Sequence, residues 1–254
     1  MLSDWIQPEW PAPARVKAIS TTRFGGVSQS PWNEMNLGLH VGDDRESVLQ
    51  NRARLREELG LKNEPVWLNQ VHGVEVVPAD TTKGIVDADA SFTCRTDTPC
   101  VVMTADCLPV LFADVGGQCV AAAHAGWRGL LDGVLEATVG SMPLEPSQIL
   151  AWLGPAIGPT AFEVGDEVYS RFLAHSLQSE IAFTPGTTGK WMMDIYKLAR
   201  LRLADAGVSQ IYGGDWCTYS DKIDERGKPG DEPRFFSYRR DQQTGRMASL
   251  IWME

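Results

Sequence analysis

The chain has 254 residues, 43% of them hydrophobic and 22% charged, a balance that lets one large domain or two small ones bury a full core. No apolar run is long enough to span a bilayer, and Asp4, Trp5, Pro8, Glu9 and Pro11 break the basic-then-apolar layout of a signal peptide, so a cytoplasmic protein is expected. A net charge of −10 argues against a nucleic-acid surface, which needs clustered cations, but not against a small phosphorylated ligand held by a few arginines.

In chain order, the first predicted element is a helix over residues 44–59. Asp43 and Glu46 have capping-box spacing, Val48, Leu55 and Leu59 mark one face, and Gly60 supplies the stop. Strands are expected over 66–71, 74–77, 100–104, 108–113 and 118–124. A helix over 127–139 follows, with Trp127, Leu130, Leu131, Val134, Leu135 and Thr138 at helical spacing. Then come a strand at 149–153, helices near 166–177 and 194–206, and strands at 210–212, 235–238 and 249–253. Pro65, Pro78, Pro99, Pro143, Pro155 and Pro159 fall at the edges of these elements. Several strands follow one another through short turns and no linker divides the chain. The expected fold is therefore a single α+β domain over 1–254, with mixed sheets and flanking helices. No heptad pattern points to an obligate assembly, so a monomer is expected.

Cys94, Cys100, Cys107, Cys119 and Cys217 are odd in number and contain no CxxC pair. Reduced thiols are expected rather than a disulfide framework, with at least one serving chemistry.

The strongest local signal is the pair of apolar runs on either side of Val115-Gly116-Gly117. A hairpin centred near residue 116 would set residue 107 opposite residue 124 or 125, bringing a thiol and an imidazole together at its open end. Such a pair can share a metal such as zinc, or the imidazole can activate the thiol as a nucleophile. The plain alternative is a packed cysteine beside a satisfied histidine. Three features weigh against it. Asp106 precedes the cysteine, and Ala125-Gly126-Trp127-Arg128-Gly129 opens a helix whose free amides favour an anion. Arg128 sits in that first turn, where the helix dipole disfavours a cation. Spacing leaves His72 and His40 as rivals for a third ligand, and His175 falls on a predicted helix.

Further motifs stand in a recognisable order: Asn36-Leu37-Gly38, Asn69-Gln70-Val71-His72-Gly73, Asp87-Ala88-Asp89-Ala90, Thr104-Ala105-Asp106-Cys107-Leu108-Pro109 and His124-Ala125-Gly126-Trp127-Arg128-Gly129. Gly154-Pro155-Ala156-Ile157-Gly158-Pro159 and Phe236-Ser237-Tyr238-Arg239-Arg240-Asp241 complete the set. From Trp10 to Trp252 the chain resembles the bacterial YfiH family, also called the laccase-domain, polyphenol-oxidase or peptidoglycan-editing-factor family. The resemblance implies a metal site of His72, Cys107 and His124, usually holding zinc, and a fold related to the catalytic domain of cytotoxic necrotizing factor toxins. It also implies purine nucleoside phosphorylase activity extending to methylthioadenosine, adenosine deamination, and a link to removing serine from peptidoglycan precursors.

The oxidase name can be tested by counting. A blue-copper centre alone takes two His and one Cys, so four histidines cannot also furnish an oxygen-reducing cluster, and only weak copper chemistry is left. Phosphorolysis needs cationic anchors, for which Arg128, Arg239 and Arg23 are candidates, with Asn36 as a further substrate contact. Cys107 and His124 are the expected catalytic pair, with Asp106, Asp87 or Asp89 available to move protons. Each has a structural reading beside it. Arg239 and Arg240 suit a solvated strand edge, Asp87, Asp89 and Asn36 suit turns, and Trp67, Trp127, Trp152 and Trp216 suit the core. The functions rank as zinc-dependent phosphorylase acting on nucleoside and phosphate, then cysteine hydrolase of a muramyl-serine precursor, then a metal-stabilised binding protein.

Overall fold

The computed structural model describes residues 5–223 and 230–254; Asp4 lies outside the described residues. Strand β1 (Val16–Ser20) precedes helix α1 (Arg45–Glu58), which is followed by β2 (Val76–Pro78), β3 (Ala90–Thr93), β4 (Cys100–Thr104), β5 (Leu108–Asp114) and β6 (Val120–Ala125). Helices α2 (Trp127–Asp132) and α3 (Val134–Ser141) lead to β7 (Ile149–Leu153), β8 (Glu163–Gly165), α4 (Asp166–His175), β9 (Phe183–Pro185) and β10 (Lys190–Met193). Helix α5 (Ile195–Asp205), β11 (Gln210–Gly213), β12 (Lys222–Ile223), β13 (Glu232–Pro233), α6 (Tyr238–Asp241) and β14 (Met247–Met253) complete the order.

The central sheet runs β11-β7-β5-β6-β3-β2, with parallel pairs at its two edges and antiparallel pairs between. Strands β5 and β6 are buried along their whole length, which explains why they read as continuous apolar runs rather than alternating ones. On one face Val110, Phe112, Ala121 and Ala123 pack against Leu130, Val134, Leu135, Leu198 and Leu203 of α2, α3 and α5. On the other, Leu111, Ala113, Val120 and Ala122 meet Cys100, Val102, Met247 and Ile251 of an antiparallel β1-β14-β4 sheet. The far side of that second sheet presents Val101, Met103, Leu250 and Trp252 to Leu55 of α1 and to Trp67. The result is helices, sheet, sheet, helix: the α+β architecture with mixed sheets that the sequence predicts. No helix among the described residues is long and apolar enough to cross a membrane.

Several local expectations are corrected. The cap of α1 is Asp44, whose carboxylate accepts from the Ser47 amide, rather than Asp43, which is spent on the Asn36 side chain and the Asp44 amide. The helix expected over 127–139 is two helices, broken at Gly133, where φ is 108°. Residues 66–71 make only isolated bridges at Val66 and Asn69, because the Gln70 side chain takes the Met103 amide and carbonyl in place of a backbone ladder. Instead of a strand over 235–238, the chain enters one helical turn after Ser237, whose hydroxyl accepts from the Arg240 amide. Strands β1, β3, β8, β9, β10, β12 and β13 form where the sequence predicts no strand.

The hairpin forms, but its register differs. Leu108 faces Ala125 and Pro109 faces His124, so residue 107 stands opposite residue 126. The reason is a four-residue turn over 115–118, held by the Asp114 carboxylate, which accepts the amides of Gly116, Gln118 and Cys119. The expectation of five free thiols also fails. Cys94 and Cys119 end the antiparallel β3/β6 ladder with Cα atoms 4.1 Å apart and are joined in a disulfide; Cys100, Cys107 and Cys217 are free.

Candidate metal centre and its cavity

His72, Cys107 and His124 offer one ligand atom each, all within 4.8 Å of one another; among the described residues no other group of three His, Cys, Asp or Glu does this. The Cys107 Sγ lies 3.8 Å from Nε2 of His72, and the two imidazoles meet edge to face with centroids 4.8 Å apart. His124 is buried, Cys107 half-buried and His72 exposed, so the centre opens to one side.

Each ligand is placed by the chain around it. His124 lies on β6, where its amide donates to the Asp89 carbonyl at 2.7 Å and its Nδ1 lies 2.8 Å from Oδ1 of Asp89. That leaves Nε2 for the centre. His72 has a left-handed backbone, φ 61°, in a turn wrapped on the same Asp89 carboxylate, which accepts the amides of Val71, His72 and Gly73. Cys107 follows Asp106, itself at φ 91°. The Asp106 carbonyl accepts the Ile157 amide, and its carboxylate accepts the Thr218 hydroxyl at 2.7 Å and the Arg239 amide at 2.6 Å. These bonds explain the Gly154–Pro159 and Phe236–Asp241 motifs: they brace the turn that carries the cysteine. At Gly126 a Cβ would stand 2.6 Å from Cδ2 of His72 and 3.2 Å from the Cys107 sulfur, so only glycine fits.

Charge at the centre follows from this packing. Burial raises the Cys107 thiol, but the charge and hydrogen bond of His124, with help from His72, bring it below the ordinary thiol value. His124 is held above the usual imidazole range: burial lowers it, and Cys107 and Asp89 more than offset that. Burial likewise raises Asp89, yet His124 and the backbone amides of Gly73 and Val71 hold it below the usual carboxylate value. Each of the three groups is thereby favoured in its charged form. Replacing the proton on His124 by a metal ion leaves the same donors in place.

Beside the centre lies a cavity of ≈ 430 Å³, whose further walls include His40, Met103, Thr104, Tyr238 and Arg246. His40, the rival third ligand, thus faces the same cavity without joining the cluster. Burial, and then the charges of Arg246 and Arg52, lower its pKa.

None of the residues expected to hold substrate lines this cavity. Arg128 is exposed, its guanidinium 4.4 Å from the Trp127 ring centre. Arg239 donates to the carbonyls of Ala161 and Glu163, and Arg23 to that of Asn33. Asn36 is fully buried, its amide donating to Gly38 and Asp43 and its oxygen accepting the amides of Gly38 and Arg246. Asp87 is taken by Asn69, outside the cavity. Sequence reading passed over Arg246 because it stands alone among Thr244, Gly245 and Met247, with no motif around it.

The fold and site define an α+β protein with a preformed three-donor metal-type centre at the mouth of a cavity. The chain belongs to the family described as multi-copper polyphenol oxidoreductase laccase, whose model matches residues 17–254. It is 52% identical to a purine nucleoside phosphorylase of Pseudomonas aeruginosa over 254 residues, covering 100% of both chains. It is 51% identical to the purine nucleoside phosphorylase YfiH of Escherichia coli over 253 residues, covering 99% of this chain and 100% of that one. Among solved structures, a Neisseria meningitidis protein superposes with a TM-score of 0.91 at 48% identity, covering 99% of each chain.

Proposed function

We propose that His72, Cys107 and His124 hold one zinc ion and that the cavity beside them takes a purine nucleoside and phosphate, making the chain a metal-dependent purine nucleoside phosphorylase. The observation that carries this reading is the His–Cys–His cluster opening onto a cavity within the ordinary size range of small-molecule sites, ≈ 430 Å³. Relatives that match over their full length bear the phosphorylase name.

The donor set fits the ion. Two imidazoles and a thiolate suit zinc, and the Asp89 contact to His124 is the carboxylate–histidine pairing common behind such ligands. Bound there, zinc would supply a Lewis acid. The protein's own part is orientation. Asp89 fixes the ring of His124 and the turn of His72, and Asp106 fixes the turn of Cys107. Asp106 acts in this reading as a positioning residue, because both carboxylate oxygens already accept hydrogen bonds.

Phosphorolysis is favoured over deamination by the composition of the walls. Deamination needs a carboxylate to move protons to and from the purine, and among the described residues no Asp or Glu lines the cavity. A second reading has one observation behind it: Cys107, His124 and Asp89 are connected as a nucleophile, base and orienting carboxylate would be. That is the arrangement of a cysteine hydrolase, here acting on a muramyl-serine precursor. Copper-dependent oxidation is the weakest reading, since the four histidines cannot furnish a second, imidazole-rich cluster.

The test is phosphate-dependent release of adenine from adenosine, wild type beside Cys107→Ala, with bound zinc measured in both. Release that requires phosphate, and is lost together with zinc in the variant, is the expected result. Zinc-loaded wild type that frees no base from adenosine or inosine removes the phosphorylase reading. Hydrolysis of the precursor without phosphate would then establish the second.

A further inference from the structure

We propose that Arg246 is the anion anchor of this cavity and that it binds the inorganic phosphate consumed in the reaction; the identity of that anion rests on the phosphorylase reading above. Among the described residues Arg246 is the one arginine or lysine that lines the cavity, and no described carboxylate side chain lines it too. Its burial is costly for a cation: removal from water lowers its pKa, and only Cys107, Asp106 and Tyr238 pull the other way. Arginine keeps its proton under such conditions, so a positive charge stays in the cavity wall.

Among the described residues Arg246 enters no ion pair. The nearby Asp106 carboxylate is spent on Thr218 and the Arg239 amide, and Cys107 belongs to the metal-type cluster. Of the guanidinium nitrogens only Nη1 is engaged, with the carbonyls of Thr244 and Gly245 at 3.1 and 3.0 Å; Nε and Nη2 have no acceptor among the described residues. One edge of the fork is clamped while the other is left for an oxyanion, the geometry that suits a bidentate phosphate contact.

The rest of the residue is held too. Asn36 accepts the Arg246 amide at 2.9 Å, and a Cβ on Gly38 would stand 2.8 Å from the Arg246 Cγ, so glycine there makes room for its stem. The Asn36-Leu37-Gly38 motif thereby gains a purpose: it acts on the cavity through Arg246, without touching a ligand.

The experiment titrates zinc-loaded protein with inorganic phosphate by calorimetry, for wild type, Arg246→Gln and Arg246→Lys, with zinc content and far-ultraviolet circular dichroism recorded for each. Loss of a charge-assisted fork predicts a roughly ten- to hundredfold rise in the phosphate Kd for Arg246→Gln. Arg246→Lys should give a smaller rise, with zinc unchanged in both. An unchanged Kd in well-folded, zinc-loaded Arg246→Gln overturns the assignment, even where wild type cleaves adenosine with phosphate and the phosphorylase reading stands. Conversely, phosphate binding that is lost in Arg246→Gln, in a protein that cleaves no nucleoside, keeps the anchor and removes the phosphorylase. Should Arg246→Gln not fold, Arg246→Lys decides: a several-fold rise supports the anchor and an unchanged Kd rejects it.

Discussion

Oδ1 of Asp89 lies 2.8 Å from Nδ1 of His124 and accepts the His72 amide at 3.0 Å, so one carboxylate oxygen positions both histidines of the metal-type centre. The two ligands come from different segments, a strand and a turn, and would otherwise be oriented independently.

Replacing Asp89 by Asn keeps the shape but sets an amide N–H against backbone donors. Zinc affinity should fall about 10–100-fold, and stability should drop on the order of 3 kcal/mol, as for a buried pair that loses a partner. Chelator competition and urea unfolding measure the two. Wild-type affinity in the variant would show that the carboxylate does not organise the ligands.

The same carboxyl sets the acid limb of stability. Its folded-state pKa lies below the ordinary carboxylate value, because His124 and the Gly73 and Val71 amides outweigh the raising effect of burial. Its stabilising contribution is therefore fully present above the ordinary carboxylate range and is lost as pH falls through the depressed folded value. Metal-free wild type should show this acid decline in its urea midpoint, and Asp89→Asn should show less of it. Parallel pH profiles for the two proteins would refute the link.

Gly126→Ala isolates the site from the fold. Gly126 has φ −62° and ψ 158°, which alanine adopts freely, so the new methyl acts only through its clash with His72 and Cys107. Zinc content should fall severalfold while circular dichroism stays that of wild type. Full zinc occupancy in the variant would mean that the ligands give way easily.

Cys107 should be the first free thiol alkylated in metal-free protein, with a rate midpoint below that of an ordinary cysteine, because His124 stabilises its thiolate. Cys100, by contrast, is buried and pushed up to about 12. Peptide mapping after brief iodoacetamide treatment, with and without zinc, reads both the order and the protection that a ligand role requires.

Reducing the Cys94–Cys119 link, or replacing Cys119 by Ser, should cost on the order of 3 kcal/mol by loop-closure entropy for a separation of 25 residues. Denaturation with and without reductant measures it. A thiol count under native oxidising conditions should find Cys100, Cys107 and Cys217 only.

What the sequence disclosed of this molecule depended on distance along the chain. The Cys107–His124 hairpin was legible because a turn signal joins two apolar runs, although the Asp114-capped turn moved its register. His72 was not separable from His40 by spacing, since what selects it is a turn folded onto Asp89 at a left-handed φ of 61°. Arg239 and Arg128 read as anchors because they sit in motifs and Arg23 as a further cation, yet their guanidinium groups face carbonyls or rings. Arg246 has no motif and reaches the cavity only after β14 docks between β1 and β4. Strand β3 escaped notice, and with it the pairing of Cys94 with Cys119.

That strand bears on how the chain finds its own alignment. The run Val120-Ala121-Ala122-Ala123 is almost featureless, and sliding it by one residue along β3 would exchange one small apolar side chain for another, so hydrophobic patterning specifies the match only weakly. The ladder is instead marked at its two ends, by Asp89 beside His124 and by Cys94 beside Cys119. A shifted alignment forfeits both marks together. The sulfur pair thus works as a distant proofreader for the imidazole, guarding against misthreaded chains that would carry every ligand and assemble no centre.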